Sequence, residues 1–255
     1  MIEVRKLINL SSTFYLQKST FHFLPSIVKK VMNYHVSFDL DFRRNPHHGK
    51  FIVLEGIDGC GKTTQAGIIV KKLKAQGTDA IYTKEPTDGP IGQFIRQTLR
   101  GALDVSPLSI QYLLAADRVL HAEEIEKHLE QGKTLVGDRY FWSAVAYGMA
   151  DRQGTQYETN GNVLLAAQGI LSMYTQFIMP DMTFYLRTSV NTALSRLAKM
   201  TKEKEMYETR DNLEKIYQGY EWLVSQFPQE ITVVDGEKTV GEVTEEIVSK
   251  LDQLV

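Results

Sequence analysis

The sequence predicts an α/β fold in three layers, a five-stranded parallel sheet flanked by helices. Two observations carry this. From Lys50 onward, short apolar runs alternate with long amphipathic stretches, the pattern of successive βα units. Each short run is also bounded by Gly, Pro, Asp or charged residues, which punctuate strands. The runs place strands at about 50–55, 79–84, 133–138, 181–187 and 230–235. Helical periodicity fills the intervals at roughly 61–76, 89–101, 107–131, 140–149, 161–177, 189–200, 210–227 and 239–254.

A chain of 255 residues, 43% hydrophobic, suits one core with an extension better than two domains. Charged residues make up 24% and nearly cancel to a net −2, which argues against a disordered chain and against an electrostatic nucleic-acid binder. The single cysteine, Cys60, excludes an intramolecular disulfide framework and suits a reducing, cytoplasmic compartment. No run of about 18 apolar residues occurs, so no membrane span is expected.

The first 32 residues carry five basic residues against one acid, with Ser, Thr and aromatics interspersed. They read as part of an N-terminal extension covering 1–48, with organelle targeting as the alternative. Pro46-His47-His48-Gly49 breaks the chain, and a catalytic domain is expected over 49–255. The polar stretch 149–160 has weak periodicity and reads as a lid, and the charged stretch 199–209 as partly irregular.

The strand Phe51-Ile52-Val53-Leu54 runs into Gly56-Ile57-Asp58-Gly59-Cys60-Gly61-Lys62-Thr63, and Thr64 continues into a helix. This satisfies G-x-x-x-x-G-K-[ST] in the strand-to-helix context the motif requires, and it specifies a P-loop NTPase fold. The glycines let backbone N–H groups converge on phosphate oxygens, aided by the positive end of the helix. Lys62 is expected to reach the β- and γ-phosphates of ATP, and Thr63 to ligate Mg²⁺. Cys60 reads as a small space-filler. Asp58, a carboxylate inside a phosphate-binding loop, is costly unless it meets a cation or a sugar hydroxyl, and is a candidate for organising substrate or metal.

The second strand ends in Lys84-Glu85-Pro86-Thr87, at the carboxyl edge of the sheet where ligands bind. Pro86 stiffens the exit, and Lys84 offers charge to an anionic acceptor. The third helix carries Leu114-Ala115-Ala116-Asp117-Arg118, and the third strand ends in Asp138-Arg139-Tyr140. Asp138 fits a magnesium-shell carboxylate, and Arg139 aims a forked cation at the same crevice.

With these motifs in this order, residues 50–255 resemble the thymidylate kinase family over about four fifths of the chain. Lys84 to Thr87 stands where the family has T-R-E-P, and Leu114 to Arg118 where it has F-A-A-D-R. Asp138-Arg139-Tyr140 with Ser143 and Tyr147 matches D-R-Y-x-x-S-x-x-A-Y, and Pro180-Asp181 also matches. The resemblance implies that Asp58 approaches the acceptor sugar and phosphate, Arg118 the thymine edge and Arg139 the acceptor phosphate. Tyr147 would lie by the deoxyribose, and Arg152 would serve as the lid arginine. It further implies ATP with Mg²⁺, small nucleotide substrates and a homodimer. Lys84 replaces an arginine, Leu114 a stacking phenylalanine, and Ala144 and Gly148 stand where polar residues are frequent. No role is carried over to Glu205, Met206, Tyr207 or Glu208.

The expected reaction is phosphoryl transfer from ATP to thymidine monophosphate. A deoxynucleoside kinase, with Glu85 as base, or a monophosphate kinase of shifted base preference are the alternatives. A P-loop nucleotide switch is the alternative from another class, weakened by the lack of an N-K-x-D signature.

Overall fold

The computed structural model describes residues 41–152, 160–200 and 205–251. Most of the expected extension, residues 1–40, and most of the expected lid, residues 153–159, lie outside the described residues. Five strands, β1 (Phe51–Glu55), β2 (Ala80–Lys84), β3 (Thr134–Asp138), β4 (Met182–Arg187) and β5 (Ile231–Asp235), form one sheet in the order β2-β3-β1-β4-β5. All pairings are parallel, with Val53 set opposite Gly137 on one side and Thr183 on the other.

Among the described residues there are eight helices: α1 (Lys62–Ala75), α2 (Pro90–Leu99), α3 (Pro107–Glu130), α4 (Phe141–Ala150), α5 (Asn160–Tyr174), α6 (Val190–Leu197), α7 (Arg210–Gln226) and α8 (Val240–Leu251). Helices α1 and α8 pack together, while α3, α4, α5 and α7 form a second contiguous group. Strands β1 and β3 are buried along their whole length, as a central pair covered on both faces requires.

Local chemistry sets the helix starts. Ser106 accepts from Ser109 N, Ser189 from Thr192 N and Thr209 from Asn212 N, each capping a helix end. Pro90 and Pro107 occupy the first turn, where no N–H is needed. Helix α7 meets α4 backbone to backbone at Gly219, where a Cβ would stand 2.9 Å from Ala146 O.

An aromatic cluster of Tyr140, Phe141, Trp142, Tyr174 and Phe227 fills the space beside α4. Phe42 joins it, with ring centroids 6.0 Å from Phe141 and from Trp142 and 6.1 Å from Phe227. Its neighbours tie the same segment down. Arg43 pairs with both carboxylate oxygens of Glu126, Arg44 does the same with Glu230, and Arg43 O accepts from Met179 N at 2.7 Å. Residues 42–45, placed by the sequence in the extension, thus pack against the domain.

Strand order reverses at β1, whose two neighbours belong to opposite halves of the sheet. A crevice opens there beyond the carboxyl ends of the strands, and the P-loop leaves β1 into it.

Candidate active site

The loop Gly56–Thr63 turns on glycines with left-handed or related backbone, φ 143° at Gly56 and 82° at Gly59. Close approach forbids a side chain as firmly as the dihedrals do. A Cβ on Gly56 would lie 2.7 Å from Cys60 Sγ, and one on Gly59 2.6 Å from Ala193 O. Cys60, buried, therefore fills the space beneath the loop. Lys62 Nζ folds back to donate to Gly56 O at 3.0 Å and Ile57 O at 2.9 Å. Arg196, which sequence reasoning did not single out, braces the loop by donating to Cys60 O at 3.3 Å and Gly236 O at 2.9 Å.

One residue past Lys62, the Thr63 hydroxyl bonds to Asp138 Oδ2, which also accepts from Tyr82 OH at 3.3 Å. Among the described residues no cluster of three or more His, Cys, Asp or Glu could hold a metal. A hydroxyl and one carboxylate suit Mg²⁺, which keeps several waters and takes its remaining oxygens from phosphates.

Arg139 stands at the centre of the crevice. It carries φ 75°, the single non-glycine positive φ among the described residues, so the turn after β3 is held against its own preference. Its guanidinium pairs with Asp58 and donates to Gly56 O at 3.1 Å, Ser143 Oγ at 2.9 Å and Tyr147 OH at 2.8 Å. Tyr147 OH in turn donates to Asp58 Oδ2 at 2.9 Å. Burial pushes the Asp58 carboxyl up, but the charges of Arg139 and Lys62 and the hydrogen bonds of Tyr147 and Arg139 outweigh it and hold the group at about 2. Asp58, Arg139, Ser143 and Tyr147, drawn from the exits of β1 and β3 and from α4, thus form one unit.

Beside this unit lies a largely apolar cavity, lined in part by Leu99, Ile110, Leu114, Ala144, Tyr147 and Tyr207. The Arg118 guanidinium reaches its wall, buried between the rings of Tyr174 at 4.4 Å and Tyr140 at 5.4 Å. Glu85 accepts from Arg118 Nε at 2.9 Å and meets His121 Nδ1 at 2.9 Å, while Arg118 Nη1 has no hydrogen-bond partner. Burial raises the Glu85 carboxyl, but the Arg118 charge and the His121 hydrogen bond more than reverse this and hold it below the usual range. Asp117 accepts from Thr87 N at 2.7 Å and its hydroxyl at 2.6 Å, fixing the turn that contains Pro86.

A second cleft joins Lys62, Thr63, Thr64, Lys84, Asp138 and Arg139. Lys84 is half-exposed there and pairs with Asp88 at 3.0 Å. Arg96, left without a role by sequence reasoning, also lines this cleft, where it donates to Pro86 O at 2.7 Å and pairs with Asp88 at 3.1 Å. Arg152 lies just past the end of α4, outside the residues lining either space, with its N–H on Met149 O at 3.2 Å. Tyr207, beside it in space, donates to Asp151 at 2.9 Å and meets the Tyr147 ring edge-on at 5.0 Å. Glu55 and Tyr220, behind Arg139, carry no local signature of their own, and Tyr207, in the stretch to which no role was carried over, stands in the cavity wall.

Comparison with known proteins gives the same answer as the geometry. The sequence model of the family described as Thymidylate kinase matches residues 54–247. A probable thymidylate kinase of Methanococcus maripaludis strain C7 is 39% identical over 69% of this chain and 78% of its own length. Another, from Methanocaldococcus jannaschii, is 33% identical over 80% of this chain and 96% of its own. The solved thymidylate kinase of Candida albicans superposes with a TM-score of 0.69 at 27% identity, covering 80% of this chain and 92% of that one. A P-loop, a forked cation beside it, an apolar cavity behind and similarity along most of the domain agree: the chain belongs to the thymidylate kinase family.

Proposed function

We propose that this chain catalyses Mg²⁺-assisted transfer of the γ-phosphoryl group of ATP to thymidine monophosphate. The observation that carries the proposal is the placement of Arg139, between the phosphate loop and the apolar cavity, with a carboxylate and three oxygens around it. A cation so placed suits the phosphate of an acceptor whose base enters the cavity. That phosphate is already anionic at neutral pH, so positioning and charge neutralisation supply the catalysis and no strong base is needed.

In this reading Gly56 to Thr64 cradle the ATP phosphates, with Lys62 turning from its loop carbonyls to the β- and γ-oxygens. Thr63 and Asp138 would hold the magnesium ion, which supplies charge neutralisation between the phosphates when bound. Arg139 and Asp58 place the acceptor phosphate and sugar, with Ser143 fixing Arg139. Arg118, through its unpartnered Nη1, faces a carbonyl on the base. Leu114 and Pro86 supply apolar walls, Tyr147 crowds the sugar, and Lys84 and Arg96 add positive charge to the cleft. Arg152, at the start of the lid segment, would close over the transferring phosphoryl group.

Glu85 argues against an acceptor hydroxyl. The base such a reaction requires is here a buried counterion of Arg118, hydrogen-bonded to His121 and held below the usual carboxylate range. We further propose a cytoplasmic homodimer, its interface on the exposed face of α3 that presents Leu108, Tyr112 and Val119. No helix among the described residues is long and apolar enough to cross a membrane.

Labelled ATP supplied with thymidine or with thymidine monophosphate, in separate reactions, tests the acceptor. Transfer to the monophosphate alone is expected. Transfer to thymidine would place the chemistry on a hydroxyl and overturn the reading.

A further inference from the structure

Glu55, the last residue of β1, is 1% exposed and stands behind Arg139 rather than in the crevice. Its Oε1 accepts from Tyr140 N at 3.0 Å and Ser143 N at 3.2 Å, the N-terminal amides of α4, a helix with no side-chain cap of its own. Its Oε2 accepts from the Ser143 hydroxyl and from Tyr220 OH at 2.9 Å. Those two oxygens lie 2.8 Å apart, and both face Arg139 Nη1, Ser143 Oγ at 2.9 Å and Tyr220 OH at 3.4 Å.

We infer that Glu55 is a positioning residue for phosphoryl transfer, fixing the Ser143 and Tyr220 hydroxyls so that their oxygens, not their protons, face Arg139. Arg139 has only donors, so each hydroxyl must turn its own proton elsewhere. Glu55 receives four donors on two oxygens, an arrangement that only the carboxylate satisfies. Burial outweighs the Ser143 hydrogen bond, the Arg139 charge and the bonds of Tyr220 and Tyr140, so the Glu55 carboxyl stands above the usual range, and it is the four donors around it that specify the ionised form.

A glutamine in its place must keep oxygen toward the two backbone amides. Its nitrogen then sits at Oε2 and donates to both hydroxyls, which turns a hydroxyl proton onto the guanidinium. Arg139 loses oxygens on its Ser143 and Tyr220 side while its contacts with Asp58, Gly56 and Tyr147 remain, and β1, α4 and the P-loop keep their packing.

The inference rests on the proposed role of Arg139 as holder of the acceptor phosphate, and the test separates the two. Binding of thymidine monophosphate and of ADP is measured by calorimetry for wild type, Glu55→Gln, Tyr220→Phe, Arg139→Ala and Glu55→Gln/Arg139→Ala. Glu55→Gln should weaken the monophosphate about tenfold or more and Tyr220→Phe about fivefold, in line with lost hydrogen bonds at a charged group. ADP affinity should stay within about twofold, a split that a general loss of structure would not produce. In the Arg139→Ala background, Glu55→Gln should add less than about twofold. Tyr220→Phe leaves the helix cap intact and keeps the test open should Glu55→Gln not fold. If Arg139→Ala binds the monophosphate like wild type, the clamp reading falls and the inference with it. If Arg139→Ala weakens binding but Tyr220→Phe and any folded Glu55→Gln do not, the inference alone falls. A full additional loss from Glu55→Gln without Arg139 would also overturn it.

Discussion

Replacing Asp58 by asparagine should destabilise the protein in a way that depends on pH. The carboxyl is held at about 2 against an ordinary 3.8, because Arg139, Lys62 and Tyr147 outweigh its burial. A carboxyl lowered that far contributes roughly 2 kcal/mol at neutral pH. Because the folded value is the lower one, the contribution is complete above the unfolded pKa. It fades as pH falls from 3.8 towards 2, with about half left near pH 3. The substitution also leaves Arg139, 13% exposed, without its carboxylate partner, which adds to the cost. Urea unfolding of wild type and Asp58→Asn at pH 7, 5 and 3 measures this directly. The gap should be about 2 kcal/mol or more at pH 7 and 5 and narrow by roughly 1 kcal/mol at pH 3. A gap below about 0.5 kcal/mol at pH 7, or one that stays constant to pH 3, would refute the electrostatic account.

Two further substitutions probe what holds the site in place. Phe42→Ala removes a half-buried ring from contact with Phe141, Trp142 and Phe227 and should lower unfolding free energy by about 1.5–3 kcal/mol, read from urea melts; no change would mean that residues 42–45 are not part of the folded domain. Gly219→Ala sets a methyl 2.9 Å from Ala146 O, so α7 must move off α4, and a loss of about 1–3 kcal/mol is expected with a lowered Tm; wild-type stability would show that the helix crossing is looser than described.

Much of this molecule is written locally in its sequence. Among the described residues, five strands and eight helices follow the predicted order because each apolar run is short and bounded, and the central runs, Phe51–Glu55 and Thr134–Asp138, are covered on both faces. The phosphate loop is legible for a similar reason, since its glycines, Lys62 and Thr63 are contiguous. What escaped detection depends on distant pairs. Glu55 and Tyr220 are 165 positions apart, and they meet where β1 ends against the start of α4 and α7 packs on α4. Arg118 was legible as a binding residue, but its burial against Glu85 and two tyrosine rings is a tertiary fact. Phe42 to Asn45 lack the periodicity of a strand or helix, and their anchoring comes from Glu126, Ile178, Asp181 and Glu230, far along the chain.

In the proposed reading, acceptor preference is set by the walls around Arg118, where Leu114 lines the cavity without offering an aromatic face. The most direct test of the account is therefore an ATP-dependent phosphorylation panel over thymidine, uridine, cytidine, adenosine and guanosine monophosphates, in deoxy and ribo forms, run beside Arg139→Ala. The account predicts strong preference for thymidine monophosphate and loss of turnover of about a hundredfold or more in the variant. Preference for another monophosphate, or an Arg139→Ala rate equal to wild type, would contradict it.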